Sequence, residues 1–435
     1  MFSNPVERGH FFHARNVALI SFGAFIWSIY LAVQGQFLND YLLDLQQFSP
    51  LIISLLVSLV SLTGAIVSVF TSSLSDRLHL AFGRRKLFIT IGGSTSALLL
   101  LLLPLNYSLL FIFTLNVLMS VFNTAAFVCN NSLIPDITSK KRLGRVNAIA
   151  SFGSSIGTIA GFALMLLSNS SVFYVSGAIC LFGFLVLGLF FQEPAPQGPF
   201  TKQPFQWRVL LDFSVLKEPH YLPYLLSYFF LHLGINCYLP FLLIFLTQQN
   251  NPSSGESIGL GLSTQNGEVL IVFTVMTLIS LVSTPLIGLA VDKVHAGKFL
   301  VLSRVSFAVT TAVITLTPLL GRTRPLLIGT LFIIPFGLSN TADIISRSAF
   351  AHKLVPEKDR GRLLSILFLA KTFAQIPGVI IGGLVAHFFQ RGYQYSFLIS
   401  GFFLLLSVPF LLVANRFAFP QIETGQHAAT PPTGC

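Results

Sequence analysis

Twelve apolar runs, each long enough to cross a bilayer, follow one another with little between them. They lie at roughly 16–38, 50–73, 87–105, 108–131, 145–168, 171–191, 221–246, 269–291, 299–319, 325–349, 363–389 and 394–415. A helical crossing takes roughly 20 apolar residues. Inside lipid the backbone must satisfy its own hydrogen bonds, which leaves helices or a closed barrel. The alternating pattern of barrel strands is absent. The expectation is an all-α polytopic membrane protein with 12 transmembrane helices. Composition agrees: 53% of residues are hydrophobic and only 9% are charged, where soluble domains carry about 25% charged residues.

A formal charge of +11 raises the question of nucleic acid. The placement of the cations answers it. On the twelve-span topology every Lys and Arg except Arg322, Arg324, Lys371 and Arg391 falls at the cytoplasmic side. That is the positive-inside signal of membrane orientation, and it excludes a nucleic-acid surface. An even number of spans then puts both termini in the cytoplasm, and a cell membrane (plasma or inner) is the expected site. The first fifteen residues hold Glu7, Arg8 and Arg15 and no apolar core, so no cleavable leader is expected. Cys129, Cys180 and Cys237 lie in apolar runs and Cys435 ends the chain; no pair has metal-ligand spacing or implies a disulfide. No Gly-Lys-Ser/Thr phosphate loop is present, so direct drive by ATP is not expected, and no cofactor is called for.

The two halves of the chain repeat. Ser75-Asp76-Arg77 recurs as Val291-Asp292-Lys293, Asn123-Thr124-Ala125 as Asn340-Thr341-Ala342, Gly144-Arg145 as Gly361-Arg362, and Gly161 as Gly378, all at an offset of 216 or 217 residues. This predicts two pseudo-symmetric six-helix halves, 1–191 and 221–415, joined by the proline-bearing segment 192–220. A disordered tail is expected over 416–435. Nothing calls for an oligomer, and a monomer is expected.

The link between the second and third runs reads Ser75-Asp76-Arg77-Leu78-His79-Leu80-Ala81-Phe82-Gly83-Arg84-Arg85-Lys86. Asp-Arg, a short spacer, then Gly-Arg-Arg-Lys resembles the loop between helices 2 and 3 of major facilitator superfamily transporters. Within that superfamily, Asn131-Ser132-Leu133-Ile134-Pro135-Asp136 followed by Gly144-Arg145, and Leu354-Val355-Pro356, Gly361-Arg362 and Gln375-Ile376-Pro377, resemble the bacterial relatives of the sucrose–proton symporters. More distantly they resemble the glycoside–pentoside–hexuronide:cation symporters. The resemblance implies a major facilitator fold, alternating access and a sugar-like solute. The second run, Ser61-Leu62-Thr63-Gly64-Ala65-Ile66-Val67-Ser68, lacks the carboxylates of the melibiose-type sodium symporters, so a sodium site of that kind is not expected.

Three sets of residues stand out. Asp76, Arg77, Gly83, Arg84 and Arg85, with Asp292 and Lys293 in the second half, form a candidate cytoplasmic gate; the alternative is plain topology charge. Exposed ion pairs contribute only about 0–1 kcal/mol, which suits contacts that must break and reform. Inside the membrane, Asp343 and Lys371 are expected at similar depth. They can pair with each other, or Asp343 can pair with Arg347 four residues on. An ionised group at such depth signals function by default; the alternative is a static brace.

The third set is polar and uncharged. His232 and Asn236 share one face of the seventh run, and His232 is a proton-coupling candidate or a neutral hydrogen-bonding group. Gln34 and Gln36 close the first run, with Asp40 beyond them as a solvated charge or an outer-side proton acceptor. Asn116, Asn123 and Asn130 recur every seven residues and share a helical face. They read as solute lining or as interhelical hydrogen bonds. Asn340 and Gln375 are weaker members. Gly153, Gly157 and Gly161, with Gly378, Gly382 and Gly383, suit close helix approach and sliding of one half past the other.

These readings point to a secondary transporter of a small polar solute, such as a sugar, with the proton as coupling ion. The alternatives are a drug or organic-ion efflux antiporter and a transporter-like sensor. An intramembrane enzyme needs a nucleophile with its base or a metal cluster, and neither is present in the sequence.

Overall fold

The computed structural model describes residues 14–44, 47–77, 85–105, 108–137, 143–167, 169–191, 221–248, 259–293, 296–321, 323–354, 360–389 and 392–423. Among them no strand occurs. Twelve helices are long and apolar enough to span a membrane. They are α1 (Arg15–Leu43), α2 (Pro50–Thr71), α3 (Lys86–Leu105), α4 (Leu109–Asn131), α5 (Val146–Leu164), α6 (Ser170–Phe190), α7 (Tyr221–Thr247), α8 (Glu268–Val291), α9 (Ala296–Leu320), α10 (Pro325–Ala351), α11 (Ile366–Phe388) and α12 (Gly392–Arg416). Large apolar side chains stay on the outside, Leu110, Phe182, Leu189, Leu302 and Phe402 among them, where lipid is the natural solvent.

Several helix ends run on past the apolar pattern. The first helix continues beyond residue 38 through a π-helical turn, Val33–Phe37, into Leu38–Asp44. The helix of α10 continues to Leu354. That of α12 continues to Glu423, into the expected tail, and 424–435 lie outside the described residues. The segment 192–220 also lies outside them. Hydropathy marks where lipid ends, whereas a helix ends where its backbone finds another partner.

The chain divides into two compact units: Met1–Phe205 with Ser263–Thr277, and Gln206–Leu262 with Leu278–Cys435. In the first, α1 packs on α5 and α6, and α3 on α4 and α6. In the second, α7 packs on α11 and α12, and α9 on α10 and α12. The same four pairings therefore recur in order. Phe162 of α5 and Phe273 at the start of α8 stack with centroids 3.6 Å apart, inside the first unit.

Glycine makes the tightest of these pairings. A Cβ on Gly153 or Gly157 would run into the backbone carbonyl of Ser21 or Phe25 on α1. One on Gly378 or Gly382 would meet the carbonyl of Leu233 or Cys237 on α7. This corrects the expectation that these glycines serve sliding between halves. They bring α5 onto α1 and α11 onto α7 within each unit, where no larger residue fits between backbones.

Forcing a side chain into such a contact costs about 1–3 kcal/mol. Gly157→Leu and Gly382→Leu should therefore melt well below the parent protein in mild detergent. Gly288→Leu is the control, because nothing lies within 4 Å of its Cβ position. If all three variants melt together, the close approach is not what holds the units.

Candidate functional site

The seam between α9 and α10 is lined by small hydroxyl residues. Ser303 and Ser346 share a hydrogen bond of 3.0 Å, and Thr310 and Ser339 one of 2.8 Å. Between these contacts the Nε of Arg304 donates to Oδ1 of Asp343 at 2.5 Å. Both side chains are only 1% exposed. The same guanidinium donates through Nη1 to Ser407 of α12 at 2.8 Å and to Ser227 of α7 at 3.4 Å. One buried cation thus ties four helices together, and its charge is matched by one carboxylate.

Arg347 lies one turn beyond Asp343 and approaches Oδ2 at 3.7 Å, too far for a hydrogen bond. Its guanidinium sits 5.4 Å from the Tyr228 ring centroid, a cation–π contact. Its Nη1 is buried without a hydrogen-bond partner among the described residues. Its main-chain carbonyl accepts from the Tyr224 hydroxyl at 3.4 Å. Tyr228 packs on His232 with ring centroids 4.5 Å apart. His232 is buried, and its Nε2 has no hydrogen-bond partner among the described residues.

The expected pair of Asp343 with Lys371 is not formed. Within this unit α10 packs along α9, and Arg304 from α9 takes the carboxylate first. Lys371 instead keeps an exposed side chain, within electrostatic reach of Arg347 and His232. Arg304 is the residue that sequence reasoning misses, because near the inner end of α9 it passes for a topology cation. The signal was its position beside Ser303, several residues inside an otherwise apolar run.

The neutral candidates are mostly engaged with protein. Asn236 donates to the carbonyl of His232 at 2.6 Å, and Asn116 to that of Ile112 at 3.1 Å. Asn123 accepts from the Trp27 indole N–H at 3.0 Å. Asn130 lies against Gly23 of α1 and lines a small recess with Lys86, Thr90 and Phe191. Of the three on α4, Asn123 makes the interhelical hydrogen bond, and Asn116 bonds its own helix. Gln34 and Gln36 fall in the π-helical turn of α1, a distortion common at functional sites. Asp40 is buried in the last turns of the same helix, not solvated in a loop, because the helix runs past the expected end. Asn340 and Gln375 are half-buried on α10 and α11.

The gate candidates are only partly visible. The helix of α2 runs to Arg77 and that of α8 to Lys293, so Asp76 and Asp292 take the same place in each unit. Gly83 and Arg84 lie outside the described residues, as do the side chains of Asp76, Arg77, Asp292 and Lys293. Arg85 is buried at the start of α3.

The sequence profile of the Major Facilitator Superfamily matches residues 17–342 and again 224–432. The chain belongs to the major facilitator superfamily. No curated protein sequence gives a significant match. Solved structures similar to this major facilitator protein include a point mutant of the nucleoside transporter NupG. That similarity has a TM-score of 0.72 and 17% identity, over 92% of this chain and 98% of that one. A D-xylose-proton symporter matches with a TM-score of 0.65 and 16% identity, over 92% and 99% of the two chains. A bacterial homologue of the human lysosomal transporter Spinster, in an inward-facing state, gives 0.64 and 14% over 99% and 100%. Likeness at this identity is one of fold.

Removing one partner of a buried ion pair leaves an uncompensated charge and costs about 3–5 kcal/mol, whereas an apolar pair of similar volume is often tolerated. Arg304→Met and Asp343→Leu alone should each lower the melting temperature of this transporter-family protein sharply. The double variant should recover most of the loss. Additive losses would mean that the two side chains do not act as a pair.

Proposed function

We propose that this protein is a secondary active transporter that moves a small polar solute by alternating access, coupled to protons. The observation that carries the proposal is the under-satisfied polar cluster on α7, α10 and α11. There His232 Nε2 and Arg347 Nη1 are buried without hydrogen-bond partners, and Lys371 keeps an open tip. Leaving such groups unpaired in a membrane span is costly. A solute that supplies the missing partners gives the arrangement a purpose. In this superfamily the two halves rock about a mid-membrane site, and we assign the halves to 1–191 and 221–415. Asp76, Arg77, Arg84, Arg85, Asp292 and Lys293 are assigned to a cytoplasmic gate. The positive-inside charge pattern supports a cell-membrane location with both termini cytoplasmic.

The solved neighbours support the solute class and the ion. One is named for nucleosides and another for D-xylose and a proton. Both solutes carry several hydroxyl groups, which the amides of Asn340 and Gln375 in the second unit can meet. Asp40 and His232 are the buried titratable groups proposed for the proton.

The test uses purified protein in liposomes with a pH dye inside. Sugars, nucleosides, organic acids and lipophilic ions are added with and without an imposed proton gradient. The expected outcome is inward proton flux evoked by a polar solute and lost in Asp40→Asn or His232→Gln. Flux with lipophilic ions alone would replace the proposal with an efflux antiporter. Silence across the panel, with a solute still raising the melting temperature, would replace it with a sensor that binds without carrying.

A further inference from the structure

The spans of the second unit carry more positive charge than the described carboxylate in them neutralises. Among its described side chains Asp343 is the only carboxylate; three cations, Arg304, Arg347 and Lys371, lie well inside the spans with it, and Lys298 and Arg416 stand at span ends. Arg304 is fully used: its Nε holds Asp343 at 2.5 Å, and its Nη1 holds Ser407 and Ser227. That pair cancels. Arg347 shares that carboxylate only at 3.7 Å, and Lys371 makes no ion pair among the described residues, so one carboxylate answers three cations.

Two cations within electrostatic reach of each other, with one shared carboxylate between them and Arg304, repel, and the repulsion grows as water is excluded. A static brace has no use for such a pair. Buried charges are ordinarily partnered, and the missing partner here is negative. The donors suit it. A guanidinium offers a planar fork that fits carboxylate or phosphate oxygens, and an ammonium adds a compact point charge. Tyr228 supports the Arg347 guanidinium from one side at 5.4 Å. His232 Nε2, unpartnered and beside Tyr228, can meet a further polar atom of the same ligand.

We infer that the solute is a small organic anion, a carboxylate or phosphate ester, whose charged group is held between Arg347 and Lys371. This rests on the transport reading of the same site and narrows its solute class. The hydroxyl-rich part of the solute and the anionic group are then recognised by different side chains. The amides of Asn340 and Gln375 in the same unit meet the one, and Arg347 and Lys371 meet the other.

Binding and flux are measured separately, so the two readings can fail separately. Binding is read as thermal stabilisation in an uncharged detergent, with matched panels of neutral sugars and nucleosides, sugar acids, mono- and dicarboxylates, and sugar and nucleoside phosphates. Phosphatidylglycerol forms a further arm, because a lipid headgroup presents the same phosphate chemistry. The inference expects stabilisation by one or more soluble anions and none by their neutral counterparts. Arg347→Gln and Lys371→Gln should each weaken that binding roughly 10- to 100-fold. Arg347→Lys should restore part of it, and Arg324→Gln, at an exposed site, should leave it unchanged. The unliganded Gln variants should melt at or above the parent temperature, because repulsion is removed. Stabilisation by neutral solutes alone, stabilisation by the lipid alone, or anion binding indifferent to both Gln variants would each overturn it. Anion binding without flux in liposomes would sink the transport reading and leave the anion site standing.

Discussion

A polar group in a membrane span has no water to fall back on, so its partner must come from protein or from a solute. The Arg304–Asp343 pair is the most demanding case in this molecule. Two full charges, each 1% exposed, are held at 2.5 Å with two serine hydroxyls filling further donor positions. Because those hydroxyls belong to α7 and α12 while the carboxylate belongs to α10, the single guanidinium of α9 fixes four helices at one depth. Removing it would leave a buried carboxylate with only the 3.7 Å approach of Arg347 to answer it, so the packing of the second unit leans on this contact.

The first unit uses the same scaffold. Its four helix pairings match those of the second unit in order. Several of its described interhelical polar contacts are between neutral groups, Trp27 with Asn123, Ser28 with Ser154, and Ser120 with the Val60 carbonyl, while Arg15 of α1 donates to the Phe190 carbonyl of α6. Duplication has therefore kept the backbone arrangement and let the chemistry diverge. The glycine contacts explain how. A pairing set by Gly157 against Phe25, or Gly382 against Cys237, depends on the backbone and on the absence of a side chain. Polar residues elsewhere on the same helices are then free to change.

The sequence was most legible where one strong force decides the outcome. Twelve spans were readable because hydrocarbon imposes length and apolarity on every crossing. The repeat was readable because Asp76 and Asp292, or Gly161 and Gly378, keep one offset. The helix end past Asp40 was not readable, because a polar run after an apolar one looks like a loop until a π-helical turn carries the backbone through it. Asp343 stood out as an intramembrane acid, but its partner did not. Spacing along one helix identifies Arg347, whereas Arg304 is brought in by helix packing across 39 positions of chain. The asparagine face of α4 was correctly one face. Which neighbour that face meets is a tertiary fact, and Trp27 supplied it for Asn123.

The two arginines beside Asp343 show how satisfaction, not residue type, separates support from function. Arg304 has a short charge-assisted bond and two hydroxyl acceptors. Its geometry is complete, and a solute would have to break it to be of use. Arg347 has one long electrostatic approach, an aromatic face and a buried nitrogen with nothing to donate to. Its geometry is incomplete by about the complement of a carboxylate. Lys371 is incomplete in the same sense and of the same sign. If both were merely tolerated, the burial of Arg347 Nη1 and the mutual repulsion of the two cations would be poorly compensated costs in a unit that satisfies Arg304 carefully. A binding site is the simplest reason for a well-packed protein to keep such groups, and the sign of what is missing says what should bind.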